Sequence, residues 1–151
     1  MALSWGVPVS DDERLRAAGL RVTQPRLAVL DAVRTGGHLD ADAVSRQARA
    51  SLGRLSRQAV YDILQAFLRA GLIRRVPATG AAARFELRTT GHHHLVCRGC
   101  GVTVDVDRAP GPAPCLDPGQ STFLVDETAV TFWGRCPDCR DQHQHHQGGN
   151  Q

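Results

Sequence analysis

The sequence predicts an α+β fold in two parts, a helical N-terminal part that ends in a β-hairpin and a small β-rich C-terminal part. Apolar residues recur at helical spacing up to about residue 70. Residues 72–76 (LIRRV) and 83–87 (ARFEL) read as two strands around the turn PATGA. Past residue 92 the pattern changes to short strands and two Cys-x-x-Cys pairs. We therefore expect three segments: 1–88, 89–140 and a polar tail, 141–151.

Each of four predicted helices begins at a capping residue. The caps are Ser10, Thr23, Asp40 and Ser56. The expected ends are Gly19, about Arg34, about Ala50 and Gly71. The fourth helix has the clearest apolar stripe, at the spacing i, i+3, i+4, i+7, i+8: Val60, Ile63, Leu64, Phe67 and Leu68.

Helices followed by a hairpin are typical of a winged helix-turn-helix, which is a DNA-binding module. The helix that starts at Ser56 would be the recognition helix. Arg57, Gln58 and Tyr61 lie near its N-terminal end on the side away from the apolar stripe, so we expect them to contact DNA. Tyr61 has a plainer alternative role, as a half-buried aromatic residue that packs on its own helix.

The charge distribution separates the two parts of the chain. Residues 1–88 hold 14 Arg and 8 acidic residues, whereas residues 89–151 hold 4 Arg and 7 acidic residues. The segment 46–75 carries seven Arg against the single acid Asp62. A concentrated arginine surface favours phosphate backbones, and a merely solvated basic face is the alternative.

Several classes of protein are not supported by the sequence. It shows no apolar run long enough for a membrane helix and no signal peptide, so we expect a cytoplasmic protein without a membrane partner. It also shows no Ser-His-Asp order, phosphate loop or paired carboxylates, so we do not expect an enzyme.

The strongest chemical signal is the pair of motifs Cys97-x-x-Cys100 and Cys136-x-x-Cys139. Two tight turns of this kind can complete a tetrahedral zinc site with four thiolates, which would be structural because it has no open position. Strands expected at 92–96, 102–106, 122–125 and 129–133 would form two hairpins that bring the motifs together. A thiol-disulfide redox protein is the alternative from another class.

The histidines of residues 91–100 (GHHHLVCRGC) point to a second site. A strand alternates its faces, so His92 and His94 share one side and His93 lies on the other. Other candidate ligands are His38, Glu86 and Asp105, and such a nitrogen and oxygen set suits Fe(II), Mn(II) or Zn(II). The alternative is that each is an ordinary solvated or hydrogen-bonded residue.

Two further segments carry weaker expectations. The segment 108–119 holds four prolines and is too broken for a regular helix. It contains Cys115, which is either a buried small residue, an accessible redox thiol or an incidental surface cysteine. The tail after Cys139 has no apolar residue and is expected to be disordered, with its histidines able to catch metal only loosely.

The chain resembles the ferric uptake regulator (Fur) family of dimeric, metal-dependent bacterial repressors, over roughly residues 13–140. The resemblance is carried by LRAAGLRVTQPRLAVLDAV, GHLDADAV, SRQAVYDILQAFLRAGLI, ARFEL, HHHLVCRGCGVTVDVD and GRCPDC. The order Gln24-Pro25 and the segments SRQAVYD, APCLD and FWGRCPDC look most like the FurA (CatR) branch, whose members repress catalase-peroxidase genes and their own. The Pro-rich segment departs from the family, because many members have a dimerisation helix there.

The resemblance implies a role for each candidate residue. The four paired cysteines fall where the family has structural zinc ligands, and His38, Glu86, His92, His94 and Asp105 fall where it has regulatory metal ligands. In some members the counterpart of His93 belongs to an additional site. Asp105 in place of Glu resembles the peroxide sensors. Arg21 and Arg26 match positions that contact DNA backbone or minor groove, although both could simply be solvated.

The leading hypothesis is therefore a homodimeric, Fe(II)-dependent repressor that binds a palindromic double-stranded operator, responds to peroxide and controls catalase-peroxidase and other oxidative-defence genes and its own gene. The regulatory site would take Fe(II) or Mn(II). Regulators of iron, zinc or nickel homeostasis from the same family are the near alternatives. They would share the fold and the structural zinc, and would differ in the metal that confers DNA binding and in whether peroxide reverses it.

Overall fold

A computed structural model describes residues 9–80, 82–88, 92–107, 122 and 130–141. The chain divides into two compact units. The N-terminal unit comprises Met1–Val76 and Ala82–Arg88, and the C-terminal unit comprises Pro77–Ala81 and Thr89–Gln151. Within the described residues, no helix is long and apolar enough to cross a membrane.

Four helices occupy the N-terminal unit at the predicted places: α1 (Asp11–Ala17), α2 (Gln24–Gly36), α3 (Ala41–Leu52) and α4 (Arg57–Arg69). All four predicted caps are confirmed, since each side chain accepts a hydrogen bond from a backbone N–H in the first turn. Ser10 and Glu13 form a full capping box. Helices α2 and α3 each end two residues later than predicted, where Gly37 and Gly53 take up positive φ.

The hydrophobic core of this unit is built from one face of each helix. Leu15 of α1, Leu30 of α2 and Val44 of α3 belong to one buried cluster with three residues of α4: Val60, Leu64 and Phe67. These six side chains are buried, and the predicted stripe of α4 is confirmed. Truncation of a buried Phe such as Phe67 typically costs about 3–5 kcal/mol, so this cluster sets the stability of the unit.

A three-stranded sheet completes the unit, in the order β1-β3-β2. The predicted hairpin is confirmed as β2 (Ile73–Val76) paired antiparallel with β3 (Arg84–Leu87). The short strand β1 (Leu39–Asp40) pairs with the other edge of β3 and was not predicted. Two residues are too few to show a strand period in sequence, so only the tertiary pairing reveals β1.

The C-terminal unit contains a second sheet in the order β5-β4-β6. Strands β4 (His92–Cys97) and β5 (Thr103–Asp107) form the first predicted hairpin. Strand β6 (Thr131–Gly134) pairs with β4 in parallel, so that Cys97 lies opposite Gly134. The parallel pairing was not predicted, and it places the ends of β4 and β6 at the same edge of the sheet.

Some expectations fall outside the described residues. They concern the Pro-rich segment 108–119, which contains Cys115, and most of the strand predicted at 122–125. They also concern the tail beyond residue 141, which contains His143, His145 and His146. A final helical turn, residues 137–141, follows β6.

Candidate metal centres and nucleic-acid interface

The four paired cysteines converge at one edge of the second sheet. Cys97 ends β4, Cys100 follows in the adjoining turn, and Cys136 and Cys139 flank the start of the last helical turn. One sulfur from each lies within 4.8 Å of all the others. The Cys100 and Cys136 sulfurs are 3.7 Å apart, and the edge of a tetrahedron with metal–sulfur bonds of about 2.3 Å is about 3.8 Å. The cluster therefore has the dimensions of a four-thiolate metal site.

Backbone groups around this cluster favour thiolate at Cys97. The N–H groups of Cys136 and Gly99 each donate to its sulfur at 3.3 Å. Hydrogen bonds from the backbone of Cys136 and Cys100 lower the pKa of Cys97 to about 6. By contrast, a hydrogen bond shared with the Cys136 thiol, together with burial, raises the pKa of Cys139 to about 12. Four thiolates this close to one another need a cation among them, and the residues fit that role.

A second group of candidate ligands lies in the N-terminal unit. His38 follows Gly37 and is the one non-glycine residue with positive φ among the described residues, at 45°. A conformation of this kind costs about 1–3 kcal/mol and is retained where the surroundings require it. Here it directs the ring to Glu86, whose Oε2 lies 2.8 Å from His38 Nε2. Both side chains are almost buried, at 10% and 8% exposure.

Glu86 has a second partner that sequence reasoning missed. Arg74 Nε donates to Glu86 Oε1 at 2.5 Å, and its side chain is only 17% exposed. The two residues are register partners on β2 and β3. Both strands were predicted, but the pair could be found only with the register of the hairpin, which the sequence leaves open.

The C-terminal unit holds the remaining candidate ligands. His94 is the register partner of Asp105 on β5, and the His92 and His94 rings meet edge to face with centroids 4.9 Å apart. Asp105 Oδ1 lies 3.5 Å from His92 Nε2 and 3.6 Å from His94 Nε2. Two imidazole nitrogens thus converge on one carboxylate oxygen, as a nitrogen and oxygen metal site requires.

His93 lies on the opposite face of β4, as the strand period predicts. Its ring packs edge to face on Phe132, with centroids 6.2 Å apart. Its Nδ1 is buried and has no hydrogen-bond partner among the described residues. His93 is therefore separate from the pair formed by His92 and His94.

The start of α4 presents the predicted DNA contacts to solvent. Arg57, Gln58 and Tyr61 are exposed on the side away from Val60 and Leu64. The Arg57 guanidinium lies over the Tyr61 ring at 5.8 Å from its centroid and pairs with Asp42 of α3 at 2.7 Å. A hydrogen bond with Tyr61, together with the charge of Asp42, raises the pKa of Arg57. Asp42 was not singled out by sequence reasoning, because its pairing depends on how α3 packs beside α4.

Several of the arginines are used within the fold. Arg26 donates to the Arg21 carbonyl at 2.9 Å and so closes the turn before α2. Arg49 donates to the Leu55 carbonyl at 2.6 Å in the connection between α3 and α4, and Arg74 pairs with Glu86. Arg21 is exposed. The basic surface is thus smaller than the count of arginines suggests.

Comparison with known proteins places the chain in a family. The model of the ferric uptake regulator family matches residues 17–110. The transcriptional regulator FurA of Mycobacterium tuberculosis is 51% identical over 129 residues, which cover 84% of this chain and 88% of that protein. The chain belongs to the ferric uptake regulator (Fur) family. It is therefore a metal-responsive transcriptional regulator and a homologue of FurA, and its relatives are regulators rather than enzymes.

Two other relatives show how far the resemblance extends. The peroxide operon regulator of Bacillus subtilis is 29% identical over 136 residues, which cover 88% of this chain and 93% of that protein. The structure of the ferric uptake regulator from Pseudomonas aeruginosa with manganese matches with a TM-score of 0.64 and 26% identity, over 84% of this chain and 98% of that chain. The Fur-family fold, a winged helix-turn-helix followed by a β-rich unit with a four-cysteine cluster, is confirmed.

Proposed function

We propose that this Fur-family protein is an Fe(II)-dependent repressor that senses peroxide and controls catalase-peroxidase and other oxidative-defence genes, together with its own gene. The observation that carries the proposal is the pair of histidines, His92 and His94, that converge on Asp105 beside a separate four-cysteine cluster. The similarity of the chain to a protein named FurA and to one named a peroxide operon regulator supports the same function.

The four cysteines are proposed to hold structural zinc. Zinc prefers a tetrahedron of thiolates, and the spacing of 3.7 Å between two of the sulfurs supports this assignment. Such a site has no open position, so its contribution would be to the folding of the C-terminal unit.

The regulatory metal is proposed to bind His38, Glu86, His92, His94 and Asp105. The argument rests on the family resemblance, on the close contact of His38 with Glu86 and on the convergence of the other three residues. A set of three imidazoles and two carboxylates suits Fe(II) or Mn(II). Metal binding at this set would select the state of the chain that binds DNA.

Peroxide would act through the same residues. Bound Fe(II) supplies the one-electron chemistry that activates peroxide, and Mn(II) does not. The net change proposed is the insertion of one oxygen atom into a C–H bond of a ligand imidazole, with the peroxide reduced to water. An oxidised imidazole is a poorer ligand, so the metal would be lost and the protein would leave its operator.

DNA recognition is proposed to follow the two-fold symmetry of a homodimer, which reads a palindromic operator. Arg57, Gln58 and Tyr61 would enter the major groove, and Arg21 would contact the phosphate backbone. Arg26 would also contact the phosphate backbone, in addition to the hydrogen bond that it donates to the Arg21 carbonyl.

The test is anaerobic fluorescence anisotropy of the zinc-loaded dimer on DNA from upstream of its own gene. Fe(II) and Mn(II) are compared before and after a small excess of peroxide. We expect both metals to confer binding and peroxide to abolish it only with Fe(II). Binding that survives peroxide with Fe(II) would contradict peroxide sensing. Loss with both metals would redirect the chemistry to the cysteines.

Regulation by metal supply is the second candidate function. It is favoured by the fold match to the ferric uptake regulator with manganese and would use the same ligands. The same experiment separates the two functions, because a metal-supply regulator needs the metal but keeps its DNA after peroxide.

A further inference from the structure

Glu86 lies at the centre of a row of three charged or titratable side chains across the sheet β1-β3-β2. Arg74 is its register partner on β2. On the other side, Leu39 pairs with Phe85, so His38 stands one register step away, next to Glu86. Each oxygen of the carboxylate therefore has its own partner, Oε1 with Arg74 at 2.5 Å and Oε2 with His38 at 2.8 Å.

The contact with Arg74 is firmly held. Glu86 is 8% exposed and Arg74 is 17% exposed. Removing one partner of a buried ion pair leaves the other charge without compensation and is strongly destabilising. Oε1 of Glu86 is thus paired with the Arg74 guanidinium, whereas Oε2 faces His38, which is itself a proposed metal ligand.

We propose that Arg74 restricts Glu86 to a single metal-binding oxygen, so that the carboxylate would occupy one coordination position of the regulatory metal and not two. This inference rests on the function proposed above. If Glu86 supplied both oxygens, the coordination number of the bound ion would be higher by one. Arg74 is a positioning residue in this account and does not bind the metal.

Cobalt(II) bound at the regulatory site of the zinc-loaded dimer reports the coordination number directly, because five-coordinate Co(II) absorbs visible light more strongly than six-coordinate Co(II). We expect Arg74→Gln to weaken the visible absorption per bound cobalt several-fold. Arg75→Gln is the matched control, since Arg75 carries the same charge on the same strand but is exposed. It should leave the spectrum unchanged.

Two further variants keep the experiment decisive. The first is the double variant Arg74→Gln with Glu86→Gln, whose amide offers the metal only one carbonyl oxygen. It should therefore restore the stronger visible absorption. It also removes the buried carboxylate charge that Arg74→Gln alone would leave unpaired. Arg74→Lys keeps a cation in place if Arg74→Gln does not fold, and should give an intermediate spectrum because an ammonium lacks the rigid fork of a guanidinium. A parent spectrum in both single variants would overturn the proposal, and so would loss of cobalt from a zinc-bound Arg74→Gln dimer.

The peroxide reaction supplies a separate measurement. We expect the Fe(II) form of Arg74→Gln to gain an oxygen atom on a ligand histidine about tenfold more slowly than the parent, as followed by mass spectrometry. Outer ligand partners commonly change metal affinity or activity by about 10–100-fold. A parent that does not react with peroxide would refute the proposed function alone, because the cobalt spectra would still decide the role of Arg74. An equal rate in a variant with the weaker cobalt spectrum would show that the second oxygen of Glu86 does not hinder the reaction with peroxide.

Discussion

Gly99 shows how a single residue shapes the cysteine cluster. It lies in the first Cys-x-x-Cys turn, and a Cβ added there would stand 2.8 Å from the Cys139 sulfur and 3.0 Å from its Cβ. Real Cβ atoms essentially never come this close to a sulfur. The two turns can therefore face each other only because this position lacks a side chain.

Gly99→Ala should loosen the zinc site without changing any ligand. We expect zinc release to a chelator to become about tenfold faster, as judged by a colorimetric zinc assay. Gly134→Ala is the matched control, because a Cβ at Gly134 meets nothing within 4 Å. Equal release rates in the two variants would show that the turns do not pack as described.

Arg57 is an exposed residue at the start of α4, the proposed recognition helix, and is one of the proposed DNA contacts. Arg57→Ala should weaken operator binding about tenfold and reduce the salt slope by about one, because one phosphate or base contact is lost. Anisotropy titrations over a range of salt concentrations measure both quantities. Arg140→Ala is a suitable control, since Arg140 is equally exposed and also pairs with an aspartate, but lies in the other unit. An unchanged salt slope in Arg57→Ala would remove Arg57 from the interface.

At the scale of elements, the parallel pair β4–β6 is what closes the cysteine cluster. Parallel strands end at the same edge of a sheet, so the turn after β4 and the turn after β6 meet. The N–H of Arg98 donates to the Gly134 carbonyl at 2.7 Å, which continues the pairing into the first turn. The cluster and the sheet should therefore form together.

Cys97→Ser should accordingly cost the folding of the C-terminal unit. Structural zinc contributes on the order of 10–16 kcal/mol to small zinc domains, which is as large as the whole free energy of unfolding of a typical domain. We expect loss of zinc by metal analysis and loss of the cooperative unfolding transition of that unit by circular dichroism. Cys115→Ser controls for the removal of a thiol as such. A stable, zinc-free dimer of Cys97→Ser would contradict the structural role.

At the scale of the whole molecule, the proposed regulatory ligands belong to both compact units. His38 and Glu86 belong to the N-terminal unit, and His92, His94 and Asp105 belong to the C-terminal unit. Metal binding at the proposed ligands is expected to be coupled to DNA binding, and such couplings typically change affinity by about 5–150-fold.

His38→Ala and His92→Ala should each leave a folded, zinc-bound dimer whose DNA affinity no longer rises with Mn(II). Titrations of operator DNA with and without Mn(II), together with size-exclusion chromatography and zinc analysis, measure this outcome. His93→Ala is the control on the same strand, because His93 faces away from His92 and His94 and packs on Phe132. Retention of the Mn(II) response in both of the first two variants would show that the regulatory site is misassigned.

Local patterns in the sequence determined much of this protein. Four helix starts were predicted from their capping residues, because the side chain of a cap hydrogen-bonds within the first turn of its own helix. These residues are Ser10, Thr23, Asp40 and Ser56. Val60, Leu64 and Phe67 mark the buried face of α4, because helical spacing brings them together. The two Cys-x-x-Cys motifs predict a cluster because each pair lies in one turn, and the family resemblance added candidate regulatory ligands.

Contacts between distant segments were decided only by the tertiary structure. The parallel register of β4 with β6, the strand β1, and the pairs Arg74 with Glu86 and Arg57 with Asp42 all join segments whose relative placement no local pattern encodes. Strand register and helix packing depend on the whole set of competing long-range contacts. For that reason the sequence named the metal ligands to be tested, whereas the structure was needed to find the arginine that holds one of them.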